Sequence, residues 1–241
     1  MPELGGTRLR RVGHKGADLI APGNTFASFD AALEAGVDMI EFDVLREEHG
    51  DGLILAHDWA DAARRGSPHT LEEALAYFAS EAFGGIEFDV DLKLPGYELR
   101  VLEKLTEFGL VERAMISTQH DESLALLRAA APSLKLGWSV PKLTRDPFRS
   151  RATRLPAYVG LQVIRRVLPF RAASAVRSGR CDAVMAHWRL VTPALVRRVL
   201  SAGGELYVWT VDDVARLRSL EALWVTGVIT NDPRLFAQLV M

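Results

Sequence analysis

Glu41 and Asp43 lie two residues apart inside the apolar pentapeptide IEFDV, and the same five residues return at 86–90. Side chains alternate between the faces of a strand, so Glu41 and Asp43 share one face while Ile40, Phe42 and Val44 take the other. Leaving even a neutral polar group unpaired in an apolar setting costs ~2–7 kcal/mol, and a charge costs more. Something must therefore neutralise these carboxylates. Two inward carboxylates on one strand, joined by a third from a neighbouring strand, make a hard oxygen site suited to Mg²⁺ or Ca²⁺; the rival reading is a pair of solvated or salt-bridged acids at a strand end. Two histidines weigh on that choice. His14 closes the run RRVGH and His57 closes GLILAH, so both can overlook one mouth, where imidazoles serve near neutrality as acid and base partners. Lys15 and Lys93 put positive charge beside the acids. A metal ion with two ammonium groups suits an anion whose charge is spread over several oxygens, which favours a phosphate ester over a carbonyl substrate.

These side chains meet only if the elements that carry them converge. Short Val- and Ile-rich runs alternate along the chain with amphipathic stretches, the pattern of βα units around a parallel sheet. The strands are read at RRVGH, VDMIEFDV, GGIEFDVDLK, MIST, KLGWSV, AVMAH, ELYVWTV and GVIT, with GLILAHD a short extra strand or hairpin arm after the second. Helices are expected at NTFASFDAALEAG, capped by Asn24 or Thr25 and stopped by Gly36, and at LEEALAYFA behind Thr70. Further helices follow at 97–108, DESLALLRAAA, TPALVRRVLSAG, DDVARLRSL and the closing DPRLFAQLV. Eight such units fit a single (β/α)₈ TIM barrel, typically ~250 residues, here one domain over 1–241. An open doubly wound sheet is the rival fold, but no Gly-rich phosphate loop follows the first strand. In a barrel, chemistry collects where the strands end at their carboxyl termini. There stand His14 and Lys15, Glu41 and Asp43, His57 and Asp58, Asp91 and Lys93, residues 117–120, His187, Trp209 and Thr210. His49 and His69 fall in polar turns and read as exposed, and Cys181, at the start of a strand, reads as packing.

Composition sets the outer limits. With 49% hydrophobic and 25% charged residues in 241, the chain can bury a large core. Cys181 is the only cysteine, so no intramolecular disulfide can form and a reducing cytoplasm is the simplest compartment. The start MPELGGTRLRRVGH lacks the apolar segment of a signal peptide, and no run approaches the roughly 18 apolar residues of a membrane span, so a soluble protein is expected. A net charge of −2, with no zinc-finger spacing, Walker loop or GxSxG elbow, gives no reason to expect nucleic acid as a partner.

Taken in order, HKG, PGNT with a following helix, IEFDV, AHD, DLK, VWTV and GVITNDP resemble the glycerophosphodiester phosphodiesterase family. That family carries HRG, PENT, ExD, HD, ExK, WTV and a closing GIxTDxP. The resemblance runs from His14 to Pro233, although 143–180 aligns with nothing. It implies a metal-dependent barrel that cleaves glycerophosphodiesters to glycerol 3-phosphate and an alcohol. By the same resemblance Glu41 and Asp43 are metal ligands, Asp91 stands where the family has a glutamate as third ligand, and His14 and His57 are the acid–base pair. Lys93 matches a phosphate-contacting lysine. Trp209 matches an aromatic that either lines the alcohol pocket or packs the barrel. Three departures stand out. Lys15 replaces an arginine and loses its bidentate fork, Gly23 replaces the glutamate of PENT, and Asp91 is one methylene shorter, as in the related sphingomyelinase D family. Glu87 and Asp89, on the face of Asp91, are expected progressively deeper in the barrel, ~3.3 Å per residue.

Between 142 and 180 there are ten basic residues against the single acid Asp146, so this insertion-like segment carries +9 and the remainder, 19 basic against 30 acidic, carries −11. Pro156 and Pro169 are expected to bound a helix of about three turns within it. It reads either as an ordinary barrel helix with a solvated basic face or as a lid or patch that meets anionic membrane lipid, which would make a lysophospholipid the substrate. Three functions compete on these grounds: hydrolysis of a small phosphodiester, a lysophospholipase D type activity, and a phosphodiester-binding barrel with weakened catalysis.

Overall fold

The computed structural model describes residues 8–141 and 151–239, with side chains for all of these except 151–155. Eight parallel strands close into a ring: β1 (Arg10–Gly13), β2 (Met39–Arg46), β4 (Glu87–Leu92), β5 (Ala114–Thr118), β6 (Lys135–Val140), β7 (Ala183–His187), β8 (Glu205–Trp209) and β9 (Gly227–Thr230). Closure comes from β1, which pairs with both β2 and β9. The expected extra strand is β3 (Leu53–Ile54), bonded antiparallel to the far end of β2. Among the described residues eight α-helices accompany the strands: α1 (Phe26–Glu34), α2 (Trp59–Arg65), α3 (Leu71–Phe78), α4 (Glu98–Glu107), α5 (Asp121–Ala130), α6 (Arg151–Arg177), α7 (Pro193–Ser201) and α8 (Val214–Ala222).

Alternation along the strands builds two separate apolar layers. Outward side chains such as Ile40, Phe42 and Val44 join the shell between strands and helices, where Phe42 lies 5.2 Å from the Phe78 ring and Phe78 4.4 Å from Phe88. Inward side chains Val12, Met39, Met115, Ala183, Met185, Tyr207 and Ile229 fill the middle of the barrel. That inner plug is a floor, and the carboxylates of β2 and β4 stand above it. Below it the amino-end opening is closed by ion pairs, Arg10 with Glu87 and Lys135 with Glu205 at 2.7 Å.

Local capping explains why helices begin where they do. Thr25 caps α1 in a box with Ser28, and Thr70 caps α3 in a box with Glu73. Asn24 is released for another task. The unforeseen α2 has an equally plain signal: Asp58 accepts a hydrogen bond from the Asp61 backbone at 2.7 Å, and Gly66 ends the helix at φ 73°. Two expectations need correction. The closing DPRLFAQLV is a 3₁₀ run, Pro233–Leu239, not an α-helix; a period of three lines up Pro233, Phe236 and Leu239 against the barrel. Pro156 and Pro169 do not bound a helix but lie inside the 27-residue α6. A proline costs an internal helix about 3 kcal/mol, yet Leu168, Ala172, Ala173 and Ala175 are buried against the barrel on either side of Pro169 and hold the helix continuous. Of the basic residues between 142 and 180, Lys142, Arg145 and Arg149, and the side chains of Arg151 and Arg154, lie outside the described residues. Among the described residues no helix is long and apolar enough to cross a membrane.

Candidate active site

The two copies of IEFDV pair with each other, but displaced. β2 and β4 run parallel with Glu41 opposite Asp89 and Asp43 opposite Asp91, an offset of two residues between the repeats. An even offset keeps every side chain on its face. It brings Asp91, just past the second copy, beside the working pair of the first, and carboxylate oxygens of Glu41, Asp43 and Asp91 lie within 4.8 Å of one another. Asp89 is buried one step below, as expected. Glu87 has passed the floor altogether and meets Arg10 at the other opening with its side chain 39% exposed.

Each acid is held by something the fold supplies. Asn24, buried and at φ 59°, grips Asp43 twice, its amide nitrogen donating to Oδ2 at 2.9 Å and its oxygen accepting from the Asp43 backbone at 3.1 Å. Glu41 Oε2 accepts from the Lys15 backbone at 2.8 Å. Lys93 sits between Asp43, at 2.5 Å, and Asp91. Its contact with Asp43 Oδ1 is an ion pair off the direction of a hydrogen bond, so that buried oxygen has no hydrogen-bond partner. Burial and the neighbouring Asp43 push Glu41 well above the usual carboxylate range. For Asp43 burial acts upward too, but the charges of Lys93, Lys15 and the two histidines outweigh it and hold the group below its ordinary value. Burial would lower Lys93; the three surrounding acids raise it well above its ordinary value. Three carboxylates against one buried ammonium leave negative charge in excess. A divalent cation fits this donor set: all ligands are hard oxygens, Asp43 Oδ1 has no hydrogen-bond partner and only the Lys93 ammonium beside it, and the excess charge has the right sign.

Both histidines reach the same mouth. A cavity of about 470 Å³ at the carboxyl ends of the strands is walled by His14, Lys15, Glu41, His57, Asp91, Lys93, Trp209 and their neighbours, a size suited to a small molecule. His14 Nε2 lies 3.9 Å from Glu41 Oε2, and its Nδ1 lies 2.5 Å from Asn231 Oδ1. Asn231 is itself oriented, because its amide nitrogen donates to Asp212 Oδ2 at 2.7 Å and its backbone to Oδ1 at 2.9 Å. Its oxygen therefore faces His14, which places the ring proton on Nδ1 and turns Nε2 into the cavity. Burial, then Lys15, lower the His14 pKa, so the ring is neutral near pH 7. His57 is 54% exposed; Asp58 lies 3.2 Å from its Nδ1, and Asp61 of α2 accepts from its backbone at 3.3 Å. Trp209 forms a wall with its indole nitrogen donating to the Met185 carbonyl at 2.9 Å. His187 stands behind Trp209, ring centroids 5.1 Å apart, and His120 lies 3.4 Å from Glu122.

A model of the glycerophosphoryl diester phosphodiesterase family matches residues 14–61 and 69–235. The chain belongs to this family. With the family comes its enzyme class, the phosphoric diester hydrolases. A glycerophosphodiester phosphodiesterase of Caldanaerobacter subterraneus is 26% identical over 95% of this chain and 96% of its own length. The fold is shared with a solved structure from Galdieria sulphuraria, at TM-score 0.75 and 18% identity over 98% of this chain and all of that one. It is shared also with an Oleispira antarctica phosphodiesterase solved with the product sn-glycerol-3-phosphate, at TM-score 0.67 and 18% identity over 96% of this chain and 97% of that one.

Against the family pattern, the change at Gly23 has a structural counterpart. A Cβ at Gly23 would lie 2.5 Å from Asp18 Oδ1 and 2.8 Å from the Lys15 Cβ. Asp18 occupies that space, accepting from the Gly23 backbone at 2.8 Å and pairing with Lys15 Nζ at 3.4 Å. A carboxylate thus remains beside the residue at the HRG arginine position, delivered from the preceding turn. Asp18, Asn231 and Asp212 were not singled out from the sequence, and Asn24 was named only as a candidate helix cap. Asn24 and Asn231 had a visible signal, the first standing in the PGNT motif and the second at the aspartate position of the closing GIxTDxP motif.

Asp89 gives a pH-dependent expectation. Burial, with Asp91 adding, raises its pKa from 3.8 to about 8. Between those values the folded protein holds a proton that the unfolded chain has lost, so stability falls as pH rises from about 4 to about 8. In chelator, Asp89→Asn is expected to melt like the wild type near pH 4 and to be more stable by roughly 2 kcal/mol or more above pH 8. Equal melting temperatures across that range would remove the buried ionisation from the account.

Proposed function

We propose that this chain hydrolyses glycerophosphodiesters to glycerol 3-phosphate and an alcohol, with Mg²⁺ or Ca²⁺ held by Glu41, Asp43 and Asp91. The observation that carries this reading is one cavity walled by two imidazoles, two ammonium groups and Glu41 and Asp91, two members of the three-carboxylate cluster whose third, Asp43, is buried beside them. A bound cation would supply Lewis-acid stabilisation of the charge that develops on the phosphoryl oxygens. Lys15 and Lys93 add positive charge at the same oxygens. One histidine takes the proton from the attacking oxygen, either water or the neighbouring glycerol hydroxyl, as its bond to phosphorus forms. The other gives a proton to the alcohol oxygen as the opposite P–O bond breaks. Neutral His14, its Nδ1–H held by Asn231, presents Nε2 for one of these transfers. Trp209 and Met185 offer an apolar wall for the departing alcohol. The compartment that goes with this reading is the cytoplasm, on the cysteine argument above.

The experiment is release of glycerol 3-phosphate from glycerophosphocholine in chelator and after adding back each cation. Turnover is expected to fall to background in chelator and return with Mg²⁺ or Ca²⁺; full turnover in chelator would remove the cation from the mechanism. No turnover with cation still bound would favour a phosphodiester-binding barrel. A second reading, a lysophospholipid as substrate, is favoured by the exposed apolar side chains of α6. It requires turnover to rise when an acyl chain is added to the glycerol.

A further inference from the structure

α6 is far longer than the barrel needs. Its 27 residues span about 40 Å, whereas the other α-helices have 7 to 10 residues. It runs down the outside of the barrel from the carboxyl end of β6 to the start of β7. At Arg165, whose Nε donates to the Arg189 carbonyl at 2.7 Å just beyond the end of β7, it is level with the rim. The turns before Arg165 therefore stand on the mouth side of the barrel.

This helix carries two apolar faces. One packs inward through Leu168, Ala172 and Ala175. The other is the stripe Val159, Val163, Val167 and Phe170, spaced i, i+4, i+8, i+11, and with Tyr158 and Ile164 these side chains are 40% to 57% exposed. A helical stripe of large apolar groups left in water marks a surface that is covered in use. Its flanks say what covers it. On a helical projection Arg166 borders one side and Arg171 the other, both exposed, and no acidic residue occurs between 156 and 177. The neighbouring α7 adds Arg198, whose guanidinium lies 3.9 Å over the Phe170 ring. A second copy of the same face would bring arginines against arginines with no acid to meet them, which opposes self-association. Apolar side chains between arginines complement a surface with acyl chains beneath negative headgroups.

We propose that the outer face of α6 docks this protein on anionic phospholipid bilayers, with the stripe centred on Val163 and Val167 entering the headgroup boundary and Arg166, Arg171 and Arg198 meeting the phosphates. The rest of the chain, with its excess of acids, is repelled by the same surface, so the contact is confined to this side of the barrel. Docking is independent of the substrate and of the cation site.

The test is co-sedimentation of the full chain with phosphatidylcholine vesicles, with and without phosphatidylglycerol, alongside turnover of soluble glycerophosphocholine. Binding is expected only with phosphatidylglycerol, weakening as salt is raised. Val163→Asp/Val167→Asp should abolish it, and Arg166→Glu/Arg171→Glu should lower partitioning by roughly 20-fold or more, since each basic residue near such a surface contributes about a fivefold factor. Both variants change exposed positions away from the cavity and should turn over the soluble substrate like the wild type. Sedimentation indifferent to phosphatidylglycerol, or unaltered in both variants, would overturn the proposal. So would a wild-type dimer that Val163→Asp/Val167→Asp converts to monomer without any vesicle binding. Vesicle binding with no glycerophosphocholine turnover would leave the docking face standing and count against the proposed hydrolysis.

Discussion

His14→Ala is expected to reduce glycerophosphocholine turnover by about 10³-fold, and His57→Ala by a similar factor, with little change in melting temperature. The reason is positional. His14 lines the cavity with its Nε2 3.9 Å from Glu41 Oε2, and His57 cannot take its place because the two sit on different loops, after β1 and after β3. The fold should tolerate the loss: Asn231 keeps two hydrogen bonds to Asp212, and the His14 backbone nitrogen still donates to the Thr230 carbonyl at 2.8 Å. Asn231→Ala, which frees the ring without removing it, is expected to cost less, on the order of 10²-fold, and chiefly in kcat. Because burial and Lys15 keep the His14 pKa below its ordinary 6.5, any change in rate that follows its protonation should appear only below that pH. The measurements are kcat/KM against pH and thermal melting of each variant. Wild-type turnover by His14→Ala or His57→Ala would exclude the acid–base assignment.

Asp43→Asn is expected to remove the response of the protein to Mg²⁺ or Ca²⁺. A ligand at 100 times its Kd stabilises the folded state by about 2.7 kcal/mol, and a loss of affinity of about 100-fold or more erases nearly all of that. Asp43 is the residue to change because its Oδ1 lacks a hydrogen-bond partner while its Oδ2 is held by Asn24, so the substitution removes a donor to the cation and leaves the clamp in place. In the cation-free protein two effects oppose each other. Lys93 loses one of its acids, and Glu41 loses the neighbour that raises its pKa. The melting temperature in chelator should accordingly move much less than the cation-induced shift. Glu41 supplies an independent check. Because burial and Asp43 raise its pKa, cation binding is expected to be linked to proton release, which calorimetry in buffers of different ionisation enthalpy reads directly. An unchanged melting shift in Asp43→Asn would take Asp43 out of the ligand set.

Most strands were legible because a barrel strand announces itself locally. KLGWSV, AVMAH and GVIT are each one apolar run bounded by breakers, and they coincide with β6, β7 and β9. Capped helices were legible for the same reason, Thr70 and Glu73 being three residues apart. α2 was missed although Asp58, Asp61 and Gly66 mark its ends, because AHD was read only as the end of a strand. α6 was cut short because a proline's local cost is visible in a sequence and the packing that outweighs it is not.

The same division runs through the site. The sequence alone determined that Glu41 and Asp43 share a face, that His14, His57 and Lys93 lie near strand ends, and that the motifs follow the order of one family. All of these depend on neighbours a few residues apart. Only the tertiary structure decided that the two IEFDV copies pair two residues out of step, which sets Asp91 beside Asp43 and leaves Glu87 below the floor. It also decided that Asp18 fills the space above Gly23, and that Asn231, 217 residues away, orients His14. Pairing register and long-range contacts arise when β1 and β9 close the ring. They are properties of the closed barrel, so no stretch of the chain carries them by itself.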